Sequence, residues 1–225
     1  MTVLISFQAG VAFQNGWKGF CRNAGTLIGF TLLATIVMGL LTALGVGLIS
    51  AVGENSVGAL VLLIGFLLLQ AIVSLVISIA LLDGSLQSVR GRSLGLSDLF
   101  SKITEVPNLI GMQIFGSLAV GLGFASFIIP GIYLAIAYVF AGMALVDKPK
   151  TFVDALNISR RLVTRHFFDV TLFLLTVLGV IYLGFLACGV GLFVSVPVGF
   201  CLVAAGYQQL IALGGESDLS ENQEL

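Results

Sequence analysis

Charge is what this chain has least of. Asp, Glu, Lys and Arg make up 9% of its 225 residues, where a soluble domain carries roughly a quarter. With 58% hydrophobic residues and a mean hydropathy of +1.14, that shortage excludes an ordinary soluble fold. Histidine occurs once, at His166, and a lone imidazole without neighbouring thiols or carboxylates makes a poor metal site. A pigment or haem ligand is the sharper reading of that residue and interfacial packing the blander one. The three cysteines, Cys21, Cys188 and Cys201, form neither an even disulfide set nor a metal spacing and read as small buried hydrophobes. No nucleophile with a paired base and no phosphate-cradling glycine motif is present. The sequence therefore points to no catalytic residue, no metal and no cofactor.

Long apolar runs fill the space left by these absences. A hydrocarbon core of about 30 Å demands about 20 apolar residues per helix, and six such segments are read here, over about 25–51, 57–82, 107–128, 132–146, 168–188 and 192–213. The expected fold is an all-α integral membrane domain over 1–213, with six spans arranged as three hairpins. The acidic end, 214–225, has four acids and no base and is expected to be disordered. Within the spans, Ser117, Gly121 and Ala125 recur at four-residue steps, as do Ala119 and Gly123, a small-residue seam that predicts close helix packing at Gly121 and puts the third span in the bundle interior. Pro130 and Gly131 predict a tight turn between the third and fourth spans. Pro197 predicts a kink in the sixth. Gln70, inside the second span, predicts an interhelical hydrogen bond.

Before each pair of spans lies a more polar segment. Over residues 5–22, Phe13, Trp17, Phe20 and Cys21 share one helical face, opposite Gln14, Lys18 and Arg22. Over 83–106, Leu96, Leu99, Phe100 and Ile103 have helical spacing. Over 150–167, Thr151 and Asp154 resemble a capping box. There Phe152, Ala155, Leu156, Ser159, Leu162 and Val163 face one way, with Asp154, Asn157, Arg161 and Arg165 largely the other. Three interfacial amphipathic helices are therefore expected. All ten Lys and Arg lie before the first span, between the second and third, or between the fourth and fifth, two, three and five in order, and none lies in the three opposite connections. The positive-inside rule then places both termini in the cytoplasm.

Certain residues carry a likeness. Asn15-Gly16-Trp17 with Phe20, the turn Pro130-Gly131-Ile132-Tyr133, the stretch from Ala155 to Arg161, and Ala205-Gly206-Tyr207 together resemble a broad group of bacterial six-helix membrane proteins. That group includes the YciC-like proteins and the membrane domain attached to some glycerophosphodiester phosphodiesterases. The resemblance implies the fold and topology and a bacterial inner-membrane location. It implies no catalytic residue, because in those phosphodiesterases the chemistry resides on a separate domain.

The functional expectation is a non-enzymatic membrane protein, either an accessory or assembly subunit of a membrane complex or a lipid-organising scaffold. Its partners are membrane lipids and another membrane protein or complex, and not nucleic acid, whose phosphates would compete with lipid headgroups for the same charges. Lys18, Arg22, Lys148, Lys150, Arg160, Arg161 and Arg165 are the candidate contacts to anionic lipid or a partner, each worth about 1 kcal/mol near an anionic surface. The alternative is a carrier or export component for a hydrophobic or neutral solute, with Gln70, Gln113, Tyr138, Tyr182 and Pro197 lining a path. No ionisable residue lies near the centre of any span, where coupled carriers usually place one.

Overall fold

The computed structural model describes residues 7–52, 57–147, 151–187, 189 and 191–221, and every regular element in them is helical. In chain order these are α1 (Ala9–Arg22), α2 (Ala24–Val52), α3 (Val57–Val89), two short 3-10 turns (Asp98–Phe100 and Ile103–Glu105), α4 (Val106–Ser126), α5 (Ile128–Ala137), α6 (Ala141–Asp147), α7 (Phe152–Arg165), α8 (Phe167–Leu186) and α9 (Leu192–Glu221). Six stretches are long and apolar enough to cross a membrane: Ala24–Val52, Val57–Val89, Asp98–Ser126, Ile128–Asp147, Phe167–Leu186 and Leu192–Gly214. The chain is a multi-pass membrane protein by that measure.

Helix α2 packs on α3, α4 on α5, and α8 on α9. Helices α1, α3, α6, α7 and α9 meet at the end of the molecule where α3 finishes. The main core lies there, around the fully buried Tyr207, Phe140, Phe173, Leu202 and Met143. Away from that end, α2 and α3 stand exposed, with Leu40, Leu44, Val61 and Leu68 each about 60% or more accessible. Such a surface is unstable in water and at home among acyl chains.

Glycine decides how closely the helices approach. A Cβ at Gly16 would lie 2.7 Å from the Leu202 Cα on α9, and one at Gly19 would lie 3.0 Å from the Val89 Cα on α3. Helix α1 therefore buries Ala12, Gly16, Gly19 and Phe20, a face adjacent to the aromatic one expected. Trp17 remains 47% exposed beside the Phe20 ring. Its Cys21 is exposed as well, whereas Cys201 is buried and Cys188 lies outside the described residues.

Several expectations are corrected. Gly121 is exposed and a Cβ there would meet nothing within 4 Å, and α4 shows most of its surface, so the Ser117–Gly121–Ala125 row does not pack and the third span is not interior. The close approach is in the seam's other row, where a Cβ on Gly123 would meet the Gly131 Cα at 3.0 Å. Pro130 and Gly131 do not form the turn. The chain reverses at Phe127, which is extended (φ −161°, ψ 154°), and Pro130 occupies the first turn of α5. That position tolerates proline because the first four N–H groups of a helix lack an intrahelical partner anyway.

The segment before α4 is not an α-helix; its two 3-10 turns bury only Leu99, against Phe30, Ala80 and Leu81. The fourth apolar stretch is broken at Tyr138–Phe140, between α5 and α6. Helix α9 runs through Pro197 without interruption, although proline leaves the carbonyl four residues earlier without its usual donor. That helix also continues to Glu221, past the end expected near Leu213. No proline follows to stop it, and two glycines weaken a helix without ending it.

Candidate functional site

The polar side chains of the bundle concentrate where α3 ends, and they form three linked groups. Helix α3 finishes in a Schellman motif. Gly91, at φ +86°, occupies the left-handed position that glycine adopts without strain. The Gly91 N–H donates to the Ser88 carbonyl and the Arg92 N–H to the Gln87 carbonyl, both at 3.1 Å. This termination turns the loop back over α2. Asn23, between α1 and α2, donates to the Ser88 hydroxyl (2.9 Å) and the Arg92 carbonyl (2.8 Å) and accepts from the Leu94 N–H (3.1 Å). Ser88 in turn donates to the Gly19 carbonyl at 2.6 Å. A buried amide with its donors and acceptor satisfied fixes register at low cost.

The second group is built on Asp83, a carboxylate only 4% exposed. It accepts from Gln87 Nε2 (2.7 Å), one turn on, and from the Ser101 hydroxyl (2.9 Å) in the loop before α4. The third joins three helices. Arg90 at the end of α3 forms an ion pair with Asp147 at the end of α6, and the Tyr207 hydroxyl of α9 donates to the other carboxylate oxygen at 3.2 Å. The Asp147 side chain is 7% exposed and that of Arg90 40%, so the carboxylate depends on its partners more than the guanidinium does.

Depth follows from length. From Val57 to Asp83, α3 rises about 39 Å at about 1.5 Å per residue, more than the thickness of a hydrocarbon core. The polar groups can therefore sit beyond the acyl chains while the start of α3 reaches their far side. Their chemistry is that of attachment: every oxygen and nitrogen named is spent on a partner within the chain. Among the described residues, no three His, Cys, Asp or Glu side chains come together as metal ligands.

The basic residues singled out by sequence are dispersed around this end. Lys18 and Arg22 are exposed on α1, and the Arg22 guanidinium lies over Gly91. Arg160, Arg161 and Arg165 are exposed on α7, while Lys148 and Lys150 lie outside the described residues. Helix α7 has the expected cap: the Thr151 hydroxyl accepts from the Asp154 N–H at 3.4 Å and donates to the Asp154 carboxylate at 2.8 Å. Its buried face is Ala155, Ser159 and Val163, within the set predicted.

Ser159 does what no spacing announced. It donates to the Ala137 carbonyl at 2.6 Å, beside the break that ends α5. His166 is half-buried at the junction of α7 and α8. Gln70 donates to Thr42 Oγ1 at 3.0 Å, the interhelical bond expected of it, while Gln113 and Tyr182 are exposed. Two surface clefts, one between α2 and α3 around Gly45 and Phe66 and one between α8 and α9 around Gly179 and Tyr182, are lined almost wholly by apolar residues.

Sequence reading missed the Asn23, Asp83 and Asp147–Arg90–Tyr207 groups. The available signal was charge at the edge of apolar runs, because a carboxylate next to a membrane span is rarely buried without a donor. Comparison with family models, with curated proteins and with solved structures finds no match to this chain.

Proposed function

We propose that this protein is a non-enzymatic scaffold of the bacterial inner membrane that gathers anionic lipid around itself, with its polar end and both termini in the cytoplasm. The observation that carries this reading is the division of labour among polar groups. The buried side chains of Asn23, Ser88, Asp83 and Asp147 are consumed in tying helix ends together, whereas Lys18, Arg22, Arg160 and Arg161 stand exposed at the same end. A cytoplasmic leaflet is anionic and attracts such charge. Trp17, exposed beside Lys18, suits the same interface. The carrier reading is weakened because Gln70 is bonded to Thr42 and the two clefts described are apolar.

A second reading, as an accessory subunit, has its own support. The outer parts of α2 and α3 leave Gly39, Gly47 and Gly65 with open space around them, the kind of surface against which another protein's helices pack closely. Purification in gentle detergent or nanodiscs, with mass spectrometry of what co-purifies, separates the two. Enriched anionic phospholipid without a protein partner supports the scaffold. A stoichiometric membrane protein moves the assignment to the accessory subunit. A bound neutral metabolite supports the carrier instead.

A further inference from the structure

Helix α7 lies lengthwise along the α4–α5 pair. At its start the Phe152 ring packs over Gly111 and against Phe115, with ring centroids 5.0 Å apart. One turn on, Leu156 reaches Gly116. Ser159 then binds the Ala137 carbonyl, and near its end the Thr164 hydroxyl lies 2.8 Å from that of Tyr133. The Tyr133 ring packs on Phe167 at 5.6 Å. Read in order, these contacts rise along α4 and run back along α5, so the three axes are aligned.

That alignment limits how deep α4 and α5 can go. Helix α7 carries Asp154, Arg160, Arg161 and Arg165, all exposed, and exposed charge facing acyl chains is expensive. Helix α7 must therefore stay at the headgroups. Tyr133 is level with its last turn, and from Tyr133 to Ile128 the helix rises only about 8 Å. A core of about 30 Å is not crossed in that distance, even if the arginines snorkel. The tip agrees: Phe127, Ile128 and Ile129 are 75%, 69% and 81% exposed. A turn with three bare apolar side chains belongs in hydrocarbon. The remainder of the fourth apolar stretch, α6, is buried within the molecule beside α3, with Gly142 against Leu82.

We infer that α4 and α5 form a re-entrant wedge inserted into the cytoplasmic leaflet alone, with the basic face of α7 on the anionic headgroups above it. The chain then crosses the bilayer four times, by α2, α3, α8 and α9. The third and fourth apolar stretches enter and leave on one side. An even number of crossings keeps both termini together, so the distribution of Lys and Arg is the same for four as for six. The wedge rests on the lipid-scaffold reading for its partner and deepens it: acyl chains of one leaflet surround the tip, and their headgroups face Arg160 and Arg161.

The test is sidedness of labelling in a chain carrying Cys21→Ser and Cys188→Ser, with the buried Cys201 retained. Single Asn55→Cys, Asn157→Cys and Ile129→Cys substitutions are exposed to a membrane-impermeant maleimide, in spheroplasts and in inverted vesicles. Asn55→Cys is expected to react from the outer face and Asn157→Cys from the cytoplasmic face. Ile129→Cys is expected to react from neither until detergent is added. Reaction of Ile129→Cys from the outer face means that the hairpin crosses, and reaction from the cytoplasmic face means that it lies in water; either overturns the wedge. Ile129 makes so little contact that the substitution leaves packing intact, and Ile128→Cys repeats the measurement independently. Lipid selectivity is a separate readout: a protected Ile129→Cys in a protein indifferent to anionic lipid leaves the wedge and removes the scaffold.

Discussion

Gly16 and Gly19 show at the scale of single residues why glycine counts mislead and glycine contacts do not. The chain has 28 glycines, and its GxxxG at Gly25 and Gly29 faces open space. The positions that matter are those where a Cβ would strike another helix's backbone. Gly16→Ala is expected to cost about 1–3 kcal/mol, as overpacking does, and to lower the melting temperature in detergent. Gly121→Ala, at the seam that spacing favoured, meets no neighbour and should leave stability unchanged or raise it by up to about 1 kcal/mol, since alanine is the better helix former.

The ion pair at Asp147 makes an asymmetric prediction. Arg90→Met leaves a nearly buried carboxylate with only Tyr207, whereas Asp147→Asn leaves an arginine that can turn to water. Arg90→Met should therefore be the more damaging, by about 1–3 kcal/mol in all. That is less than a fully buried pair would lose, because Arg90 is 40% exposed and screened. Equal melting temperatures for the two variants would contradict the burial assigned to Asp147.

Among the helices, those with a strong local signal were legible and those defined by their neighbours were not. The cap at Thr151 and Asp154, the buried face of α7 and the bond from Gln70 all follow from spacing, because each depends on residues within one or two helices. The turn at Phe127 does not. A Pro-Gly pair favours a turn locally, yet it fits equally well in the first turn of a helix, and the contact between Gly123 and Gly131 decides for the helix. The break between α5 and α6 is likewise invisible in an unbroken apolar run. It is held from outside by Ser159, whose partner is 22 residues away in the chain. Ser159→Ala removes the donor to a buried carbonyl and should cost about 1–3 kcal/mol, read as a lower melting temperature. Thr164→Val, which removes an exposed bond to Tyr133, should cost less.

For the whole molecule, composition was enough to identify a multi-pass membrane protein and the end that carries the basic residues. Where the hydrophobic segments lie relative to one another was not available, because hydropathy registers what a helix is made of and not what lies beside it. The third and fourth apolar stretches pass every compositional test for a span, and only their alignment with a charged helix argues that they do not cross. Two of the three polar groups at the end of α3 were equally hidden, since they link residues more than 50 positions apart through Asn23 and Asp147.

Whether exposed basic residues gather anionic lipid is the claim on which the functional account stands. The most direct measurement is native mass spectrometry of protein released from nanodiscs of mixed phosphatidylglycerol and phosphatidylethanolamine. Wild-type protein is compared with a variant carrying Arg160→Glu, Arg161→Glu and Arg165→Glu. Wild-type protein is expected to retain phosphatidylglycerol well above its share in the nanodisc, and the variant to fall to that share. Retention at the bulk ratio in the wild type, or enrichment that survives the charge reversal, would contradict the claim.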